Sequence, residues 1–370
     1  MKTSFKKMPV SQFLRQYESI NTKKAYLSGL RQFFKLMYPD SKEALDTLSM
    51  QYLNEDRDYR DDVLRFKESI QGKAPKTKVS RLNAIRVFLS DNEVVFPNRF
   101  FKNLNGKSQE AISEEEMPTK AKLKKLLDYM PPQGKAFTMF LVSTGMRGGE
   151  ATKIRIDEVE WESDVPKVRI RGETTKTGKK RITFITPETK EVLEEWLRYR
   201  PTYIKQAEGR GAFKRLKKLD YEGLLFPFKS STFNFIWRNA LDKAGMLRVD
   251  PRTKWATLKP HNLRKYFRVM VGRYGRDEAE ALMGHQTGLN RVYARFEGLS
   301  GEKRLDEVYR QAIPELSIRE TKEVSEVLER IEIKATAKDK RISVLEQQLD
   351  GLRGVKEELE ALREENLVLQ

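Results

Sequence analysis

The side chains in this chain that could move a proton or grip an anion are few and narrowly placed. Only two of its 370 residues are histidine, one in Lys259-Pro260-His261-Asn262-Leu263-Arg264 and the other in Leu282-Met283-Gly284-His285-Gln286. Pro260 suits the first position of a helix, so His261 and Arg264, three residues apart, share one face. Tyr293 follows His285 by eight residues, within Arg291-Val292-Tyr293-Ala294-Arg295. Far upstream, the apolar run Phe137–Val142 ends in Ser143-Thr144-Gly145-Met146-Arg147-Gly148-Gly149-Glu150, a helix-breaking turn that carries an arginine. With no cysteine the chain has no thiolate nucleophile, no disulfide and no zinc finger, and two histidines cannot build a His-rich metal site. Each of these residues is weak evidence alone, because a single Tyr is usually core and a single Arg usually surface.

Charge narrows the partner. There are 72 Lys+Arg against 54 Asp+Glu, a formal +18, and the excess is uneven: residues 1–318 carry +21 and residues 319–370 carry −3. A basic body with an acidic-leaning tail fits a polyanion for the body and another partner for the tail. Adaptation to heat would explain abundant charge, 34% of residues, but not its sign. Nucleic acid is the better reading. The N-terminal MKTSFKKMPVSQFL lacks the apolar run of a signal peptide and no stretch approaches a membrane span, so a soluble, intracellular protein is expected.

The elements that must position these residues fall into three segments, and the length suits two or three domains. In Asn21–Met37, the residues Tyr26, Leu30, Phe33 and Met37 form one helical stripe behind an Asn/Thr cap. Val79, Leu82, Ile85 and Leu89 predict a second helix over Lys76–Leu89, whose other face shows Lys76, Lys78, Arg81 and Arg86. That face suits DNA phosphates, although a basic exposed face is often only solvated. Asn105-Gly106-Lys107-Ser108 and the acidic Ser113–Glu116 with Pro118 read as a linker.

Beyond it, Val168 and Ile170 alternate with Arg169 and Arg171, and Ile182 and Phe184 alternate again across a turn at Thr177-Gly178. This predicts a hairpin with the basic tip Lys176, Lys179 and Lys180. Thr186-Pro187 caps a helix through Val192, Leu193, Trp196 and Leu197, and Lys205–Lys218 reads as an exposed loop or short helix. In the tail, Leu328, Ile331, Ala335, Lys338, Ile342, Leu345, Leu349 and Leu352 keep heptad spacing, which breaks near Gly351 and Gly354. The spacing resumes with Val355, Leu359, Leu362, Asn366 and Leu369, so a coiled coil with a stammer is expected.

In this order the motifs resemble those of the tyrosine recombinases, the phage-type integrases and Xer- and Cre-like site-specific recombinases. The resemblance rests on Thr144-Gly145-Met146-Arg147, Lys176-Thr177-Gly178, His261-Asn262-Leu263-Arg264, Gly284-His285 and Tyr293, and it covers roughly residues 8–315. It implies a mainly α fold with a small antiparallel sheet (α+β). The expected organisation is a helical core-binding, DNA-binding domain over 1–108, a linker over 109–118, a catalytic domain over 119–316 and a coiled-coil tail over 319–370.

The resemblance further implies catalytic Arg147, Lys176, His261, Arg264, His285 and Tyr293, and DNA contacts from Lys76, Lys78, Arg81, Arg86, Lys179 and Lys180. Arg147 and Arg264 would grip the non-bridging oxygens and Tyr293 would attack, forming a 3′-phosphotyrosyl bond. Lys176 would protonate the leaving 5′-oxygen, and the histidines would orient or relay protons. The His285-to-Tyr293 gap is one shorter than is common, which leaves Tyr274 and Tyr309 as alternatives, and Lys179 stands as the alternative to Lys176.

Partners implied are double-stranded DNA at attachment sites and further copies of the chain, four in a synapse resolved through a Holliday junction, in the cytoplasm or at the nucleoid, with no metal or cofactor. The missing cysteines, the high charge and Gly284-His285-Gln286-Thr287 point to an archaeal mobile element. Two rivals share the fold: a type IB topoisomerase-like relaxation enzyme and a non-catalytic DNA-binding scaffold.

Overall fold

A computed structural model describes residues 7–105, 114–175, 178–213, 218–251, 253–284 and 298–319. The chain divides into two compact units, Met1–Glu114 and Glu115–Gln370. Among the described residues the first unit is all helical and the second helical with one three-stranded antiparallel sheet, the mainly α architecture expected from the sequence.

The first unit comprises α1 (Val10–Arg15), α2 (Ile20–Met37), α3 (Leu45–Asn54), α4 (Tyr59–Ser69), α5 (Pro75–Asp91) and α6 (Asn98–Asn105). Its core is strongly aromatic, with Phe33 edge-on to both Tyr52 and Phe66. Helices α2 and α5 cross closely at Gly29, where a Cβ would lie 3.0 Å from that of Ala84. Leu30 and Phe33 are buried as their spacing predicts. The cap differs: Ser19 Oγ accepts from the Thr22 N–H, so α2 opens before the expected Asn/Thr pair. On α5 the buried stripe is Leu82, Ile85, Phe88 and Leu89, while Val79 stays 42% exposed.

In the second unit α7 (Lys120–Asp128) leads into α8 (Pro132–Thr144), buried over most of its length, and the short α9 (Gly148–Ala151). The sheet runs β1 (Val159–Glu160), β2 (Lys167–Ile170), β3 (Arg181–Phe184). The β2–β3 hairpin forms with Val168 opposite Thr183 and Ile170 opposite Arg181. Helix α10 (Pro187–Gly209) is capped by Thr186, whose Oγ1 accepts from the Thr189 N–H, and it extends past Pro201 to take in Lys205. Then come α11 (Lys218–Glu222), α12 (Ser230–Lys243), α13 (Pro260–Gly272), α14 (Arg276–Met283) and α15 (Gly298–Leu316). No helix among the described residues is long and apolar enough to cross a membrane. The tail heptads lie outside the described residues. The last described residues, Ile318 and Arg319, give their backbone N–H groups to Glu188 at the start of α10.

Candidate active site

The site is organised by the end of α8. Gly145 there takes the left-handed φ of 62° that closes the helix, and a Cβ on it would sit 2.4 Å from the ring of Phe267 on α13. Glycine is required on both counts. The Gly145 carbonyl accepts from Arg264 Nη1 at 2.6 Å, and Arg264 Nη2 donates to the Met283 carbonyl at 2.7 Å. Arg264, only 3% exposed, thus joins the ends of α8 and α14. Two residues after Gly145, Arg147 occupies the N-cap of α9, and its Nη1 donates to Glu150 Oε1 at 2.9 Å. A shared turn therefore brings both arginines to one place.

Helix α13 opens at Pro260 as its sequence predicts, with the Lys259 N–H donating to Asn262 Oδ1. His261 is exposed on the first turn, while Arg264 points inward. One further turn along, Lys265 pairs with Glu115, which also lies 3.8 Å from Lys259. Lys265 holds the Glu115 carboxyl below its ordinary range against an opposing effect of burial. Beside these residues is a cavity of about 480 Å³, lined among others by Met146, Phe235, Trp255, Lys259, His261 and Arg264.

Positive charge here exceeds what the carboxylates neutralise. Burial, with Arg147 and Arg181 nearby, pushes the Arg264 guanidinium down to about 9. Desolvation and the cations Arg264, Lys265 and Arg147 also push His261 below its usual value, against an opposing pull from Glu115. Such a deficit of negative charge makes an anion site, and a phosphate diester would fill it. Glu150 is the exception: burial works against its ionisation, but Arg181 and Arg147 prevail and hold it below the usual carboxylate range.

Of the site residues named from sequence, the structure brings together Arg147, His261 and Arg264. Lys179 and Lys180 are exposed on the strand connection just ahead of β3. Lys176, His285 and Tyr293 lie outside the described residues. The two alternative tyrosines are placed away from the arginines' exposed side. Tyr309 is fully buried, shares a 2.8 Å hydrogen bond with Ser143 Oγ and approaches the Ser143 carbonyl, so it serves the core. Tyr274 follows the far end of α13, about 20 Å along the helix from His261.

The four basic residues of α5 spread over about two thirds of the helix circumference rather than forming one face. Lys76 and Arg86 are exposed, whereas Arg81 Nη1 donates to the Ser28 carbonyl at 2.9 Å and its Nε is buried without a partner among the described residues. Sequence reasoning missed Glu150 and Arg181 as site residues. A carboxylate three residues after Arg147 at a helix start was the available signal for Glu150; nothing local marked Arg181.

The second unit is thus a helical domain whose small sheet and α13 frame a paired-arginine anion site. Residues 116–291 match the family model described as the phage integrase family. That match takes in the residues that carry Arg147, His261 and Arg264. Among solved structures, the chain is similar to the XerA recombinase at 20% identity, covering 82% of this chain and 95% of that one, with a TM-score of 0.35. It is also similar to a lambda integrase dimer bound to a COC′ core site, at 14% identity over 76% of this chain and 94% of that one, TM-score 0.49. A third likeness is the XerH site-specific recombinase bound to a difH substrate in a pre-cleavage complex, at 18% identity over 77% and 80%, TM-score 0.49. No curated protein matches the chain.

Proposed function

We propose that this recombinase cuts and rejoins duplex DNA at attachment sites, acting in the cytoplasm on nucleoid or mobile-element DNA. The observation that carries the reading is the meeting of Arg147 and Arg264 at the Gly145 turn, with His261 on the helix that supplies Arg264. In this reading the two guanidiniums hold the non-bridging oxygens and offset charge building on the pentavalent phosphorus. The Tyr293 oxygen attacks phosphorus, its proton passing toward a histidine. The bond to the 5′-oxygen breaks as Lys176 protonates that oxygen, with Lys179 next along the hairpin as the alternative. A 3′-phosphotyrosyl bond conserves the energy needed for rejoining. His261 and His285 orient the phosphate and relay protons.

Lys76, Lys78, Arg86, Lys179 and Lys180 contribute phosphate contacts, with Arg81 already engaged in helix packing. Strand exchange runs through a Holliday junction in a tetramer, without metal or cofactor. The helical domain spans 1–108, the linker 109–118 and the catalytic domain 119–316, and a tail over 319–370 joins protomers as a coiled coil. A suicide substrate nicked beside the cleavage site tests the reading. The wild-type chain should form a covalent protein–DNA adduct and Tyr293→Phe should bind DNA but form none. Adduct formation by the variant would move the nucleophile elsewhere.

A further inference from the structure

The residue that the mechanism above leaves unused is Arg181, the first residue of β3. Its side chain and that of Glu150 are each 5% exposed, and Nη2 lies 2.6 Å from Glu150 Oε2. Its Nε donates to the Leu282 carbonyl at 3.1 Å, in the last turn of α14. Gly284, which closes α14 with φ 70°, leaves the room this requires: a Cβ there would meet Arg181 Cδ at 2.8 Å. The other oxygen of Glu150 holds Arg147. One buried carboxylate is therefore shared by two guanidiniums, one exposed enough to meet substrate and one enclosed.

We propose that Arg181 is a positioning residue for phosphate recognition: it fixes the Glu150 carboxylate, which sets the direction in which Arg147 presents its guanidinium. The inference deepens the proposed function and rests on it. A carboxylate held at one oxygen by a rigid, enclosed cation cannot rotate, so its second oxygen offers Arg147 a single docking direction. Arg147 itself is only loosely enclosed, with 30% of its side chain exposed, and depends on that partner for its orientation. Arg181 also registers the hairpin against the end of α14, so the strand that follows the lysine-rich connection and the turn that precedes His285 in sequence share one anchor. Simple packing would not require a charged group with hydrogen bonds to two separate elements, since an apolar residue of similar volume would fill the space.

The test compares two versions of the nicked suicide substrate: an ordinary phosphodiester and a methylphosphonate at the scissile position. The methylphosphonate lacks the non-bridging negative charge that Arg147 is there to meet. For Arg181→Met, cleavage of the phosphodiester should fall about 30- to 100-fold with DNA affinity unchanged, as when a transition-state charge contact is misplaced. Cleavage of the methylphosphonate should stay within about fivefold of wild type, the pattern that Arg147→Ala should also give. Arg181→Lys keeps the charge near Glu150 while losing the fork that reaches Leu282. It should fall about fivefold on the phosphodiester, and it serves if the Met variant does not fold. Equal losses on both substrates, or no loss on the phosphodiester, would overturn the positioning role. A wild-type chain that cleaves neither substrate would instead refute the strand-transfer reading on which it rests.

Discussion

Replacing Gly145 with alanine perturbs the site at the turn that both arginines share. The alanine must hold the left-handed conformation, at about 1–2 kcal/mol. Its Cβ must also displace the Phe267 ring, whose Cδ1 lies 2.4 Å from the position the Cβ would take. Overpacking a filled core costs about 1–3 kcal/mol, so the two effects together destabilise the second unit by about 2–5 kcal/mol. For a unit of this size each kcal/mol shifts Tm by about 2–4 °C, which gives a fall of about 4–20 °C. Differential scanning calorimetry of the full chain reads the transition. Gly149→Ala supplies the control, because nothing lies within 4 Å of its Cβ and it sits in α9. The control should melt within about 1 °C of wild type or slightly above, since alanine favours helix. Because the Gly145 carbonyl is Arg264's acceptor, suicide-substrate cleavage should fall with stability. A Gly145→Ala chain melting within about 1 °C of wild type would refute the argument from φ and ring contact.

Other outcomes test other parts of the site. Lys176→Ala should lose cleavage and recover it on a substrate with sulfur at the scissile 5′-bridging position, because a thiolate leaves without a proton; recovery by Lys179→Ala alone would move the acid along the hairpin. With only two histidines in the chain, His261 can be followed by NMR after His285→Gln, and in free protein it should titrate below 6.5. A lowered folded value means that the folded state binds fewer protons than the unfolded one, so His261's share of stability is present above pH 6.5 and is lost as pH falls below it. A value above 6.5 would show that burial and the neighbouring cations do not outweigh Glu115. Truncation after Arg319 keeps the contacts to Glu188 and Glu191, so single-strand cleavage should survive while oligomer size and recombination fall. An unchanged sedimentation profile with unchanged recombination would leave the tail without an assembly role.

Local patterns made much of this fold legible. Pro260 opening a helix, Thr186 capping one, and alternation at Val168–Ile170 are all short-range effects, and the structure follows them; the alternation expected at Ile182–Phe184 fails, because the register sets Thr183 and Arg181 opposite Val168 and Ile170 and buries Thr183 beside Phe184. Where burial depended on a distant crossing, the patterns ran past their limits. Val79 continued a perfect stripe yet stays 42% exposed, and the basic residues of α5 proved to be divided between solvent and the Ser28 carbonyl. Strand β1, two residues long, has no period to detect. The site divides in the same way. Arg264 could be assigned to a helix face, but its two acceptors come from Gly145 and Met283, 119 and 19 residues away.

The two glycines of the site show why its second arginine pair escaped notice. Gly145 read in sequence as part of a helix-breaking turn, and both it and Gly284 stop a helix with a left-handed φ. Their missing Cβ atoms do a second job that no local rule announces: Gly145 admits the Phe267 ring and Gly284 admits the Arg181 side chain. The bond between Arg181 and Glu150 spans 31 residues and exists only after the hairpin, α9 and the end of α14 have packed. A charge on a strand beside a run of lysines looks like one more DNA contact until its burial is known. Its enclosure, at 5% exposed, is what separates a side chain that meets phosphate from one that aims the side chain that does.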